Sequence, residues 1–397
     1  MKFFEKGEFK LLWRLYFGNF ITSAFHLIPA FGLVYLIGLG MSLTQAGILF
    51  SSLLAASIIF EIPTGAIADK YGRKFSVLLG GVLESLLVFS VFFTSNYYAL
   101  LIIFISLGIA GTLSSGSGES WIYDLIIKTN KKILHSYYSK HQLFGALGLV
   151  ISGFVGAFVV GKFGINWIWL VSGIASFAYF CIIFSIPEIY TTKKEHKDKF
   201  NEIWKHSLDS VRYSLKHKII FWLLLAGFIM MLAVAFSDGF AYVPYLKSLG
   251  FPDYAFGYYF SGISLVAALA PLTIKFIRTK RKEIKFLIWA TFLGSVLLLL
   301  LYLAVNYIQA LIILFLSSFF FCAKYPIEQP FLNSFIPTKM RATILSFKSM
   351  IYSLAGVIAL PIAGFLVDKI GALNTIGISA LLGIPSIIAY LMIRRKN

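Results

Sequence analysis

The sequence predicts an all-α membrane protein with twelve transmembrane helices in two pseudo-symmetric six-helix halves. Three observations predict it. The 397 residues are 59% hydrophobic and only 13% charged, about half the roughly 25% charged fraction of an average soluble domain. Apolar segments of spanning length recur along the chain, with Lys and Arg gathered on one side of them. The second half of the chain repeats the first. This composition excludes a soluble enzyme, a disordered chain and a disulfide scaffold. The two cysteines, Cys181 and Cys322, lie in apolar runs as core thiols do.

A helix needs about 20 apolar residues to cross the hydrocarbon core. Such segments run over 13–38, 43–68, 75–94, 98–126, 136–160, 165–187, 218–246, 253–276, 285–305, 308–335, 342–367 and 372–393. Each must be helical, because lipid offers the backbone no hydrogen-bond partner. No cleavable signal peptide is expected, since the polar, basic start up to Arg14 is followed by a run long enough to span. With the amino terminus in the cytoplasm, 31 of the 35 Lys and Arg fall in cytoplasmic segments. Lys162, Lys247 and Lys369 fall outside, and Lys324 lies within a span. This bias predicts a multi-pass protein of the cell membrane with both termini cytoplasmic. It also accounts for the net charge of +18 without any nucleic-acid partner.

The longest polar stretch, 188–217, separates six spans from six. The expected organisation is an N-terminal bundle over 1–190, a cytoplasmic linker over 191–217 and a C-terminal bundle over 218–397, with helical character over 200–216. The halves align directly. Leu143–Gly164 of span five matches Met350–Gly371 of span eleven at an offset of 207, with seven of 22 positions identical. YLIGLG at 35–40 matches YLKSLG at 245–250, and Gly47, Phe50 and Ser51 match Gly257, Phe260 and Ser261, all at an offset of 210. Glu119 of span four matches Glu328 of span ten at an offset of 209. Two halves of like topology, related by an axis along the membrane normal, are one repeat pattern of secondary transporters.

After span two the chain reads GAIADKYGRK, from Gly65 to Lys74. This resembles the signature loop of the major facilitator superfamily, Gly-x-x-x-Asp-(Arg/Lys)-x-Gly-Arg-(Arg/Lys), and Gly65, Asp69, Lys70, Gly72, Arg73 and Lys74 all match it. The resemblance covers the whole chain. It implies two six-helix bundles around a central cavity, alternating access by rocking, and a protein that works as a monomer. It assigns spans 1, 4, 7 and 10 to the cavity, with 2, 5, 8 and 11 beside them. Physically, Gly65 would permit close helix packing and Gly72 a tight turn. Asp69 ends span two, where it would face a helix N-terminus, that of span eleven being the candidate. Arg73 and Lys74 would pair with carboxylates such as Asp124. With Arg341 at the start of span eleven, these residues form the expected cytoplasmic gate; the plainer reading is positive-inside anchoring alone. A degraded copy follows span eight, where Pro271, Arg278, Arg281 and Lys282 match Pro63, Lys70, Arg73 and Lys74, but Ile277 replaces Asp69. Span four lacks the Arg, and span five the Gly-Pro motif, of the family's proton-coupled drug exporters. The glycines of span five, Gly145, Gly148, Gly153, Gly156 and Gly161, are expected at close helix contacts.

Ionisable groups inside spans are functional candidates because they are costly there. Glu61, Glu119 and Asp238 are the proton-coupling candidates. Glu61 lies about two turns from Asp69, next to Pro63 and under an apolar run, a setting in which a carboxyl can load and release a proton. Glu119 sits in SSGSGESWIYD, with small residues leaving room around it and Trp121 and Tyr123 nearby. Asp238, with Tyr242 and Tyr245 beyond it, suits an outer gate as well as a substrate contact. Lys324 and Glu328 are spaced for an ion pair on one helix, which Pro326 and Pro330 are expected to kink or break. Alternatively, Lys324 faces the cavity and holds an anionic group. His26 and Tyr325 complete the cavity candidates, although a lone histidine among apolar residues is more often a packing residue. Glu84 reads as structural.

Four acids against one lysine make the expected cavity acidic. The leading function is therefore secondary active transport of a small organic solute by alternating access: proton-coupled export of cationic or neutral amphipathic compounds, as in multidrug efflux. The alternative is proton-symport uptake of a metabolite whose anionic group is held by Lys324. No metal-ligand spacing, nucleophile motif or Walker motif is present, so no enzyme activity, metal or cofactor is expected. The expected partners are the solute, protons and the bilayer.

Overall fold

The computed structural model describes residues 4, 5, 7–186, 210–270, 272 and 279–394. Helices α1 (Glu8–Phe25) and α2 (Ile28–Gly38) together make the first span. The chain breaks between them at His26, because Pro29 in the first turn of α2 starts a new helix. Ser172 satisfies the break: its hydroxyl accepts from the Leu27 N–H at 3.0 Å and donates to the Phe25 carbonyl at 3.2 Å. Helix α3 (Leu43–Tyr71) runs unbroken through Pro63. A turn at Gly72 leads into α4 (Arg73–Val91). Asn96 then caps α5 (Tyr97–Asn130) by accepting from the N–H groups of Tyr98 and Ala99. Helices α6 (Leu134–Phe163) and α7 (Trp167–Phe184) complete the first six spans.

Span seven comprises α8 (Lys218–Phe236), a π-helical turn over Ser237–Ala241 and α9 (Tyr242–Ser248). Then come α10 (Phe256–Leu269), α11 (Lys280–Leu299) and α12 (Tyr307–Asn333). Helix α13 (Arg341–Ile370) follows, and α14 (Ala372–Leu381) with α15 (Gly383–Arg394) ends the chain. Pro326 and Pro330 do not break α12, contrary to one expectation; both lie inside it. Ten described stretches are long and apolar enough to cross a membrane. One of them, Tyr97–Phe163, spans 67 residues and contains both α5 and α6. The segment expected as span eight, 253–276, is described up to α10, and most of its remainder lies outside the described residues. The helices leave large apolar side chains such as Phe93, Ile102, Leu303 and Val305 mostly exposed, as lipid-facing surfaces do. The linker over 191–209 and the degraded loop copy around Pro271, Ile277 and Arg278 lie outside the described residues.

The chain forms two compact units. One holds Met1–Met41, Ser52–Lys193 and Pro252–Leu265; the other holds Ser42–Ser51, Lys194–Phe251 and Val266–Asn397. Each has a buried core: Leu12, Leu15, Trp121, Ile122 and Tyr137 in the first, Leu224, Leu287, Phe331 and Tyr390 in the second.

The sequence repeat is a repeat of backbone. Gly40 and its mate Gly250 take φ of 79° and 80°, and Gly164 and its mate Gly371 take 97° and 86°. These left-handed values favour glycine. In the second unit the start of α3 packs on α13, where the Ser51 hydroxyl donates to the Val357 carbonyl at 2.6 Å. In the first unit the start of α10 packs on α6, where Ser261 donates to Val150 at the same distance. Serines 210 apart thus meet carbonyls 207 apart. A Cβ on Gly47 or Gly257 would strike the facing backbone carbonyl of Leu360 or Gly153. Gly148 and Gly156 likewise touch the α1 backbone and the Phe31 ring, so these α6 glycines and Gly153 mark close helix contacts, whereas Gly161 has only ordinary contact with Tyr254.

Candidate functional site

The loop after α3 is built as its motif suggests, with two departures. Gly72 has φ of 104°, which allows the tight reversal into α4. Arg73 Nη1 pairs with Asp124 Oδ2 at 2.5 Å and also donates to the Ser120 carbonyl at 3.3 Å. Among the described residues Lys74 meets no carboxylate; it donates to the Phe184 and Ile186 carbonyls at 3.2 and 2.6 Å. Arg14 donates to Ser185 at 2.8 Å, so two cations cap the C-terminus of α7, where its dipole is negative. Gly65 has open space where a Cβ would sit, so no close helix contact is made there in this structure among the described residues. It lines a cavity of about 200 Å³ with Glu61, Asp69, Arg73, Thr112 and Ser115. Glu61 is exposed there rather than buried under apolar residues. Arg341 is exposed at the first turn of α13.

A second cavity of the first unit, about 230 Å³, holds Glu119 with Tyr137, Tyr138, His141 and Tyr179. Tyr179 and Ser114 also border a smaller space of about 110 Å³ around Glu84. Trp121 is only 4% exposed and belongs to the core against Leu12 and Leu15. Tyr123 is exposed and lines none of these cavities. His26 sits at the break between α1 and α2.

The largest of these cavities, about 380 Å³, lies in the second unit between α8, α12 and α13. Met230, Met231, Val234, Phe321 and Leu345 give it apolar walls, and Lys324, Tyr325, Glu328, Gln329, Lys348 and Tyr352 give it polar groups. Lys324 and Glu328 do not form the ion pair their spacing permits. The Glu328 carboxylate instead accepts from the Tyr390 hydroxyl at 3.2 Å. The Lys324 ammonium lies 5.3 Å from the Tyr390 ring centre and 6.0 Å from that of Phe321. Lys348 donates to Gln329 Oε1 at 2.5 Å and lies 5.2 Å from the Tyr352 ring centre. Gly227 makes room for Tyr352, whose hydroxyl occupies the place a Cβ would take. Asp238 projects from the π-helical turn, a distortion found often at functional sites. Tyr242 and Tyr245 are buried and line none of these cavities, and the Tyr245 hydroxyl donates to the Leu301 carbonyl at 2.8 Å.

The sequence profile of the Major Facilitator Superfamily matches residues 12–356. The chain belongs to the major facilitator superfamily. This superfamily transporter, a multi-pass membrane protein, is 24% identical over 370 residues to the uncharacterized MFS-type transporter YxaM of Bacillus subtilis, covering 91% of this chain and 90% of the relative. It is also 24% identical over 380 residues to the multi-drug resistance efflux pump PmrA of Streptococcus pneumoniae, covering 90% and 88%. In fold it is similar to the nucleoside transporter NupG (TM-score 0.76, 15% identity, 98% and 99% covered). It is similar also to the D-xylose-proton symporter (TM-score 0.69, 16% identity, 96% of each chain covered).

Two charged features of this superfamily member escaped sequence reasoning. Lys348 counts among the cytoplasmic cations by the charge bias, yet it lies two turns inside α13 and is 9% exposed. The signal was available, since the span drawn over 342–367 already contained it. Glu8, fully buried, pairs with Lys140 at 2.6 Å and also accepts from Tyr16, Ser136 and the Glu5 N–H. Partners 132 residues apart leave no local spacing to read.

Proposed function

We propose that this transporter exports amphipathic organic compounds across the cell membrane in exchange for protons, working as a monomer with both termini in the cytoplasm. The observation that carries the reading is the second-unit cavity: methionine, phenylalanine and tyrosine walls with polar groups confined to α12 and α13. Flexible Met and flat aromatic surfaces suit varied apolar bodies, and a few fixed polar groups orient them. The similarity to PmrA, named a multi-drug resistance efflux pump, supports the direction. Glu119 is the favoured proton carrier, because it shares a cavity with His141 and three tyrosines. Glu61 and Asp238 are the other candidates.

A second reading, proton-symport uptake of an anionic metabolite, gains from Lys348, which joins Lys324 in the same cavity. The test uses inverted membrane vesicles with an acid interior, a pH-sensitive dye, and a panel of amphipathic drugs and metabolites. Drug-induced proton release that vanishes with Glu119→Gln supports export with Glu119 on the proton path. Release that survives Glu119→Gln but not Glu61→Gln or Asp238→Asn moves the proton to that residue. Silence to every drug, with a response to an anionic metabolite, sinks the export reading.

A further inference from the structure

We propose that Lys324 and Lys348 form a subsite for one anionic group of the transported compound, a carboxylate carried on an aromatic body. The proposal rests on the cavity reading above and specifies its substrate class. It begins with charge balance. Both ammonium groups line the same cavity, one from α12 and one from α13, and they are only 4% and 9% exposed. Among the described residues neither comes within ion-pair distance of a carboxylate, although Glu328 attracts both from further away. Lys348 is bonded to the neutral amide of Gln329, and Lys324 lies against the rings of Tyr390 and Phe321. The cavity's one acid, Glu328, gives an oxygen to Tyr390. Two cations against one anion leave a single positive charge uncompensated on two buried side chains, an arrangement that is costly until an anion enters. One substrate charge completes it.

The repeat sharpens the point. At the offsets of span four with ten and span five with eleven, Glu328 corresponds to Glu119 and Lys348 to His141. Each half therefore places one carboxylate and one basic side chain on one of its cavities. Lys324 corresponds to Ser115, so the extra cation belongs to the second half alone. The apolar walls from Met230, Met231 and Phe321 then receive a flat body, for which a volume of about 380 Å³ leaves room. Glu328 stands one helical turn from Lys324 and competes with the incoming anion for the lysines.

The test is equilibrium dialysis of 2-naphthoate and its neutral counterpart 2-naphthamide against the full-length protein purified in detergent. The wild-type protein is expected to bind the acid about tenfold or more tightly than the amide, as a buried charge pair provides. Lys324→Gln and Lys348→Gln each remove that preference while leaving naphthamide binding in place. Glu328→Gln tightens naphthoate binding by removing its competitor. Equal affinity for acid and amide in the wild-type protein, or no naphthoate binding, overturns the proposal without recourse to any variant. A preference that survives both lysine substitutions overturns it as well. Proton release in the vesicle assay is read separately, so export can stand when the anionic subsite falls.

Discussion

Asp368 fastens the start of α3. Its Oδ1 accepts from the Leu43 N–H at 3.0 Å, and its Oδ2 accepts from the Thr44 N–H at 2.8 Å and the Thr44 hydroxyl at 2.6 Å. These are first-turn donors that no intrahelical carbonyl reaches, and the carboxylate charge also meets the positive end of the helix dipole, worth about 0.3–1 kcal/mol. Hydrogen bonds to an ionised acceptor contribute roughly 1.5–3 kcal/mol, and the exposed position of Asp368 places this set toward the lower figure. Asp368→Asn keeps one carbonyl acceptor but loses the charge and the second oxygen, so a loss of about 1–2 kcal/mol is expected. That is a change of roughly tenfold in local opening. Hydrogen exchange read by mass spectrometry over residues 43–51 measures it directly. The repeat supplies a control: position 368 corresponds to Gly161, which offers no side chain to its neighbour Tyr254. Exchange should therefore rise at the start of α3 and stay unchanged at the start of α10. Unchanged exchange over 43–51, or an equal rise at both places, would refute the argument.

Three further predictions follow from the same geometry. Lys140→Met should cost about 3–5 kcal/mol by stranding the buried Glu8 charge, and adding Glu8→Gln should recover much of the loss in thermal melting; an additive loss would contradict this. Arg73→Ala should change the melting temperature little, because the pair with Asp124 is 42% and 25% exposed and such pairs contribute at most about 1 kcal/mol. Transport should nevertheless fall and return with the charge swap Arg73→Asp plus Asp124→Arg; a large loss of stability would instead mark the pair as structural. Gly148→Leu should destabilise by about 1–3 kcal/mol or more, since its Cβ would press on Ser23 and the α1 backbone. Gly65→Ala, in open space, should stabilise by up to about 1 kcal/mol through helix propensity, and the two variants should separate clearly in one melting series.

The fold was legible because bilayer solvation acts on whole segments. Span length and Lys/Arg placement do not depend on which neighbour a side chain meets, so they survive in a single sequence. The repeat was legible at glycines whose φ is positive, such as Gly40 and Gly250, because backbone geometry restricts those positions to few residue types. Side-chain partners were less legible. Arg73 and Asp124 were matched through a family resemblance, whereas Glu8 and Lys140 lie 132 residues apart and share no motif. The spacing of Lys324 and Glu328 permitted an ion pair, but the ring of Tyr390 and its hydroxyl take up the two groups instead. Helical spacing states only that two residues share a face; which third element packs there decides what they bond to. Trp121, Tyr242 and Tyr245 illustrate the same limit, since an aromatic near an acid in sequence turns into the core when a neighbouring helix covers it.

The repeat also separates what the scaffold requires from what the substrate requires. The seams that are preserved in both halves are backbone contacts: Ser51 on Val357 and Ser261 on Val150, Gly47 on Leu360 and Gly257 on Gly153. A carbonyl accepting a hydroxyl is indifferent to what is transported, so both copies can keep it. The differences are charges. Asp368 stands opposite Gly161, Lys348 opposite His141 and Lys324 opposite Ser115. Each of these changes adds a charge to the second half, and two of the three are cations on the wall of one cavity. A buried cation without a fixed counter-anion weakens the fold by itself, so stability gives no reason to acquire Lys324 and Lys348 on the same surface. A ligand that brings the missing negative charge, as the anionic-subsite proposal has it, would.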